Sequence, residues 1–198
     1  MTELIVRGFP VRIANKWPSV DTAFVTKRLD AALALLEEFV PRSFHRMRSD
    51  VREFVVLRYP CRGAYFPGQR AIMTELTFLA RAPEFSEAQV AASILHEATH
   101  ARIYAMLRAP TSHDAPREER ICREAELRFG AALPHELGAP VITRAVESLA
   151  LSDEDVAPVV DWRRAQLNKD VADLESLDMP RWMKRAAIAV RKWREGNG

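Results

Sequence analysis

Cysteine is almost missing from this sequence: Cys61 and Cys122 are the only two in 198 residues, and they stand far apart. That number excludes a disulfide framework and a cysteine-built zinc finger, and it suits a reducing compartment. An excess of either charge is missing as well. Lys and Arg total 29 against 27 for Asp and Glu, a net charge of +2, which removes the electrostatic case for a dedicated nucleic-acid binder. No stretch approaches the roughly 18 uncharged apolar residues that span a bilayer. The first residues, with Glu3 and only Leu4, Ile5 and Val6 before Arg7, lack the basic-then-apolar plan of a signal peptide. A cytoplasmic protein without stable membrane insertion is the expectation. What the chain does have is 48% apolar and 28% charged residues, enough for a packed core and too apolar for wholesale disorder.

No internal repeat, low-complexity tract or parting linker interrupts the chain, so residues 1–198 read as one domain of ordinary size. Residues 1–82 form its sheet-containing part and residues 83–198 a mainly helical part. The class is α+β, with a small antiparallel or mixed sheet packed on a central helix. Leu4–Val6 and Val11–Ile13 are short strand candidates around Gly8-Phe9-Pro10. Ser19 or Asp21 caps a helix whose Phe24, Val25, Leu29, Leu33, Leu36 and Val40 recur at helical spacing before Pro41. Phe54–Tyr59 and Arg70–Leu79 read as strands that pair as an antiparallel ribbon, with Cys61–Gly68 as a turn-rich connector. Ser86 and Gln89 fit a capping box that opens a helix running to about Leu107. A loop over 109–116, a helix over 117–133, and shorter helices near 140–150, 153–175 and 180–194 complete the reading.

The chemistry concentrates in His96-Glu97-Ala98-Thr99-His100, inside the capped helix. Histidines four apart are separated by about 40° around the helix axis and one turn along it, so both imidazoles reach one metal ion. Glu97 stands about 60° from His100, which sets its carboxylate beside the ion as a proton acceptor instead of a ligand. Zinc lowers the pKa of its bound water, and an adjacent carboxylate takes the proton and returns it to a leaving amine. The surrounding positions strengthen this reading. Ala92, Ser93, Ile103 and Leu107 share the side of His96, while Val90, Ile94, Ala98, Ala101 and Ala105 occupy the other. A helix apolar on both sides is buried, and two histidines and a glutamate inside it need a partner such as a metal. The competing reading is a pair of core histidines satisfied by carbonyls or carboxylates.

A catalytic zinc takes three protein ligands and leaves one position open. The candidates for the third are His113 or Asp114 in the following loop, or Glu118, Glu119, Glu124 or Glu126 on the next helix. That helix must pack through Ile121, Cys122, Ala125, Phe129, Ala132 and Leu133. Glu118 lies on the centre line of this stripe, Glu119 and Glu126 on its Cys122–Leu133 edge, and Glu124 on the far edge. Glu119 is taken first, then Glu118, then Glu126; the glutamates that are not ligands are expected to be solvated ion pairs. Cys122 is a candidate thiolate ligand but reads more simply as a small buried residue.

The run His96-Glu-Ala-Thr-His100, followed 18 or 19 residues later by a glutamate, resembles the gluzincin branch of the zincin zinc metallopeptidases, over residues 52–133. The resemblance implies a zincin-like α+β fold, a bound Zn2+ and hydrolysis of a peptide or protein substrate, with Glu97 catalytic and His96, His100 and Glu119 as ligands. The metzincin subclass is excluded, because Met106 stands where its third histidine would be. The resemblance also implies an edge strand that pairs with extended peptide, and Arg70–Leu79 takes that part. The chain departs from the family in one respect: the aspartate four residues after the glutamate ligand is replaced by Arg123, or by Cys122 if Glu118 is the ligand. Support for the histidine must then come from elsewhere. Tyr65 and Tyr104 are the candidates for stabilising the oxyanion, each also readable as an ordinary core or rim tyrosine. A non-catalytic zinc-binding scaffold or regulatory protein is the alternative function.

Trp182, Ala186, Ala189, Val190 and Trp193 make an apolar stripe flanked by Arg181, Lys184, Arg185, Arg191, Lys192 and Arg194. This basic helix either caps the domain or docks on an acidic partner or a membrane surface. Ser152–Asp155 reads as a helix N-terminus.

Overall fold

The computed structural model describes residues 1–59, 61–82, 84–107 and 115–150, all within one unit, Met1–Val156. These residues form an α+β structure. Two strands, β1 (Thr2–Val6) and β2 (Phe9–Ile13), make a hairpin, followed by helices α1 (Thr22–Phe39) and α2 (Pro41–Asp50). Strands β3 (Glu53–Leu57), β4 (Gly63–Phe66) and β5 (Ala71–Glu75) come next, then helices α3 (Leu76–Ala80), α4 (Glu87–Leu107), α5 (Ala115–Ala132) and α6 (His135–Ala150). The five strands form one mixed sheet in the order β1-β2-β3-β5-β4. β2 and β3 run parallel, as do β3 and β5, while the two outermost pairs are antiparallel.

The alternation of apolar residues sets the inner face of the sheet. Phe9, Val11 and Ile13 of β2, Phe54 and Val56 of β3, and Ile72 of β5 are buried in one cluster with Leu29, Leu33 and Leu36 of α1 and Ile94 and Ala98 of α4. Each large side chain taken out of water this way contributes about 1.5–3 kcal/mol. α4 is therefore the central helix, apolar on both sides from Ala88 to Ala101, and it emerges at its last turn, where Ala105 and Met106 are exposed. Its start is fixed twice. Gln89 accepts from the Ser86 backbone N–H at 3.0 Å while its own N–H donates to the Ser86 hydroxyl at 3.3 Å, the predicted capping box. Buried Arg28 of α1 donates to Glu87 at 2.9 Å and to the Phe85 carbonyl.

Two expectations about the strands are corrected. The stretch Arg70–Leu79 is not one strand: pairing ends at Glu75, whose side chain accepts from the Phe78 N–H and caps α3. β5 is also neither antiparallel to β3 nor at the edge. It lies between β3 and β4 with all five residues buried, and the edge strand on that side is β4, inside the segment read as a connector. β4 is only four residues long and bounded by Gly63, Pro67 and Gly68, so turn chemistry masked it. α1 ends before Pro41 as expected, and the proline opens α2, a helix the sequence reading did not include, because a helix has no use for an N–H at its first position.

α6 begins earlier than expected, at His135, and contains Pro140. It crosses α5 where both helices have glycine. A Cβ on Gly138 would lie 2.1 Å from the Gly130 carbonyl oxygen, so only glycine permits this approach. The expected helices over 153–175 and 180–194, the acidic stretch at 152–155, and His113 and Asp114 lie outside the described residues. Among the described residues no helix is long and apolar enough to cross a membrane.

Candidate functional site

α4 and α5 lie side by side, and their facing residues bring the predicted groups together. His96 Nε2 is 3.3 Å from Glu119 Oε2, and His100 Nε2 is 3.2 Å from Glu119 Oε1. With metal–ligand distances of about 2.0–2.1 Å, neighbouring ligand atoms on a tetrahedral zinc stand about 3.3 Å apart. Each imidazole thus faces its own oxygen of Glu119 at near that spacing, while the cluster of ligand-type atoms close enough to share one ion among the described residues is His96, His100 and Cys122, within 4.8 Å of one another. The two imidazole rings are 5.0 Å apart at 65°, so one turn of helix lets both nitrogens face one point without stacking.

The far sides of the rings are also engaged. Glu126 Oε1 lies 2.7 Å from His96 Nδ1 and accepts from Arg123 Nη1 at 2.8 Å. Glu118 Oε2 stands 3.8 Å from His100 Nδ1. A carboxylate on Nδ1 fixes the ring's orientation and leaves Nε2 free to accept or to coordinate. The carboxylate behind His96 is thus Glu126, seven residues after Glu119. Two turns of helix return to the same face. That spacing was readable in the sequence; what it bonds to was not. Of the ranked candidates, Glu119 converges with the histidines, while Glu126 and Glu118 stand on their opposite nitrogens. Glu124 is the solvated ion pair expected of an unused glutamate, facing Arg120 and Arg128 at 3.6 and 4.0 Å.

Glu97 points to the other wall. A Cβ placed on Gly63 would sit 3.1 Å from Glu97 Cγ and Oε1 and 3.2 Å from Ser93 Oγ, so β4 passes α4 so closely that a side chain there would make Glu97 or Ser93 give way by a few tenths of an ångström. The Tyr65 backbone N–H hydrogen-bonds the Glu97 carboxylate. This close strand is a part of the site that the sequence reading missed, and Gly63 was its one signal. The Tyr65 and Tyr104 rings meet at 5.8 Å, both within the same region. His45 and His135 are exposed on other helices. Cys122, fully buried, has its sulfur within 4.8 Å of a ring nitrogen of His96 and of His100.

The electrostatics follow from burial and pairing in the metal-free chain. Burial opposes a charge on His96, but hydrogen bonds to Glu119 and Glu126, with Glu97 near, outweigh it and lift its pKa to about 9. Glu119 shows the converse: burial favours its protonated form, yet hydrogen bonds from His100 and His96 hold it far below the usual carboxylate range. Burial pushes Glu97 up against the opposing pull of His96 and His100. It also pushes up the Cys122 thiol, helped by Glu119 and Glu97. A proton held between His96 and two carboxylates is what a cation would replace.

No protein-family model matches the chain, no curated protein matches it, and no solved structure matches it.

Proposed function

We propose that this protein is a zinc-dependent metallopeptidase of zincin-like fold, in which His96, His100 and Glu119 hold Zn2+ and Glu97 is the general base. The observation that carries the reading is the convergence of two imidazole Nε2 atoms on the Glu119 carboxylate at 3.2–3.3 Å, with Glu97 one residue from His96 on the side facing β4. Zinc, when bound, supplies a lowered pKa for water and a positive charge for the developing oxyanion. The chain's own residues do the rest. Glu97 accepts the proton of the attacking water and delivers it to the leaving amine, which its raised pKa and buried seat favour. Glu126, anchored by Arg123, holds His96 in orientation throughout. The substrate lies extended along β4, the last strand of the sheet, whose outer edge has no strand partner among the described residues. This assigns to β4 the part expected of Arg70–Leu79. The sheet order supports the zincin-like reading, with an antiparallel edge strand over the histidine helix and a glutamate helix after it.

The test is direct. Purified protein is expected to hold one zinc per chain, and His96→Ala to lose it. Glu97→Gln is expected to keep the zinc and lower peptide hydrolysis by about 10²–10⁴-fold. Zinc content unchanged by His96→Ala would sink the assignment.

One observation favours a second reading, a non-catalytic zinc scaffold. Cys122 sulfur lies within reach of both histidines, and a thiolate as fourth ligand would close the position that water needs. Cys122→Ala separates the two: zinc and hydrolysis persist if the site is catalytic, and zinc is lost if the thiolate is a ligand.

A further inference from the structure

The outer side of α2 carries charge of one sign. Phe44, Met47 and Asp50 face inward and are buried, while Pro41, Arg42, His45, Arg46, Arg48 and Ser49 are exposed. Arg52, exposed just past the end of the helix, adds a fourth guanidinium. Direct contacts bring two more arginines to the same end. Arg70, also exposed, donates to the Asp50 carbonyl at 3.1 Å and to the Ser49 carbonyl, and its own carbonyl accepts from the Arg52 N–H at 2.7 Å. Arg102 of α4, half exposed, has Nη1 3.7 Å from Asp50 Oδ1.

The nearby acids are mostly engaged elsewhere. Between residues 37 and 53, Glu37 is bound to Arg7 at 2.6 Å, Glu53 to Arg12 by two hydrogen bonds of 2.7 Å, and Asp50 is buried, so Glu38 is the acid left to face Arg42, Arg46, Arg48 and Arg52. The whole chain carries only +2, which makes this a local concentration and an attraction for anions. Planar guanidinium groups take a carboxylate through paired hydrogen bonds. The spacing suits an extended peptide: Arg42 and Arg46 are about 6 Å apart along the helix axis, and alternate side chains of a strand leave one side about 6.7 Å apart. Two other polyanions fit less well. The exposed positions of α2 hold no large apolar side chain to enter a bilayer and no aromatic ring on which a base stacks. The ten residues of α2 span about 15 Å, the length of four or five extended residues, and a nucleic acid would run on over a surface whose charges nearly balance.

We infer that the outer side of α2, with Arg52, Arg70 and Arg102 at its end, is a docking surface for an acidic segment of a partner protein, bound extended with carboxylates at alternate positions. Arg42 and Arg46 take two successive carboxylates, and the arginines past the helix end take the next. None of these side chains is a proposed ligand or base, so the docking surface does not depend on the peptidase reading.

The full-length protein is titrated, with fluorescence anisotropy as the readout, into a labelled peptide with Glu at alternate positions and into its Gln counterpart. A single-stranded oligonucleotide with the same number of charges and vesicles containing phosphatidylserine serve as competitors. The Glu peptide is expected to bind about tenfold tighter than the Gln peptide, with a difference that shrinks as salt is raised. Arg42→Gln combined with Arg46→Gln is expected to erase the preference, and Arg42→Lys combined with Arg46→Lys to keep part of it, because charge remains while the planar fork is lost. Arg120→Gln combined with Arg128→Gln changes net charge by the same amount at exposed positions of α5 and is expected to leave the preference intact. Equal binding of the two peptides, a preference that survives the α2 glutamines, or an equal loss in the α5 pair overturns the docking surface. Tighter binding of the oligonucleotide or the vesicles than of the Glu peptide overturns the acidic segment as its partner. Loss of peptide hydrolysis or of zinc with the preference intact overturns only the peptidase reading.

Discussion

The two sides of α4 are built from one continuous helix, yet they are held by different forces. One side contributes Val90, Ile94, Ala98 and Ala101 to the apolar cluster shared with α1 and the sheet. The other carries Ser93, His96, Glu97 and His100 toward α5 and β4, where the contacts are hydrogen bonds and opposite charges. Dispersion and apolar burial are insensitive to the identity of a distant ion, and they hold the backbone rigid. The polar side pairs imidazoles with carboxylates, so its contacts depend on protonation in a way the apolar side does not. The contrast teaches that rigidity and chemistry are separable on this helix: the apolar side should govern stability, and the polar side should govern metal binding.

Substitutions can break that separation, and the largest effect at the site is expected from Glu119. Glu119→Ala removes the carboxylate on which both histidines converge, and zinc affinity measured by competition with a chromophoric chelator should fall by more than about 100-fold, beyond the cost of losing an outer partner. Glu126→Gln is expected to fall within the range typical of such an outer partner, about 10–100-fold in affinity or turnover. An unchanged zinc affinity there would show that His96 does not need its carboxylate. Ile94→Ala, on the apolar side, should leave zinc affinity and turnover per folded molecule unchanged while costing about 2–5 kcal/mol in chemical denaturation. If Ile94→Ala weakens zinc instead, the two sides of α4 are coupled and the contrast fails.

The polar side of the site was more legible in the sequence than the sheet that covers it. The spacing of His96, Glu97 and His100 is a helical property, and the Ser86–Gln89 capping box announced the helix, so local geometry sufficed. Glu119 could be ranked because a helix face is also periodic. The strand pair could not be read the same way. Ala71–Glu75 has the same local pattern whether its neighbour runs parallel or antiparallel, and only the crossover through β4 puts β3 and β5 in parallel register.

By itself the sequence determined the elements whose signals are local: the β1–β2 hairpin strands, α1 with its Asp21 cap, the capped α4 and its pair of histidines, and the helix that carries the glutamates. Tertiary structure decided what depends on residues far apart in the chain. It set which of four glutamates meets the imidazoles and which braces one from behind. It made Gly63–Phe66 the strand against Glu97, and it set Arg123 on the Glu126 carboxylate that faces His96. Periodicity along one element gives the direction a side chain leaves the backbone, whereas its partner is fixed only when another element packs against that face.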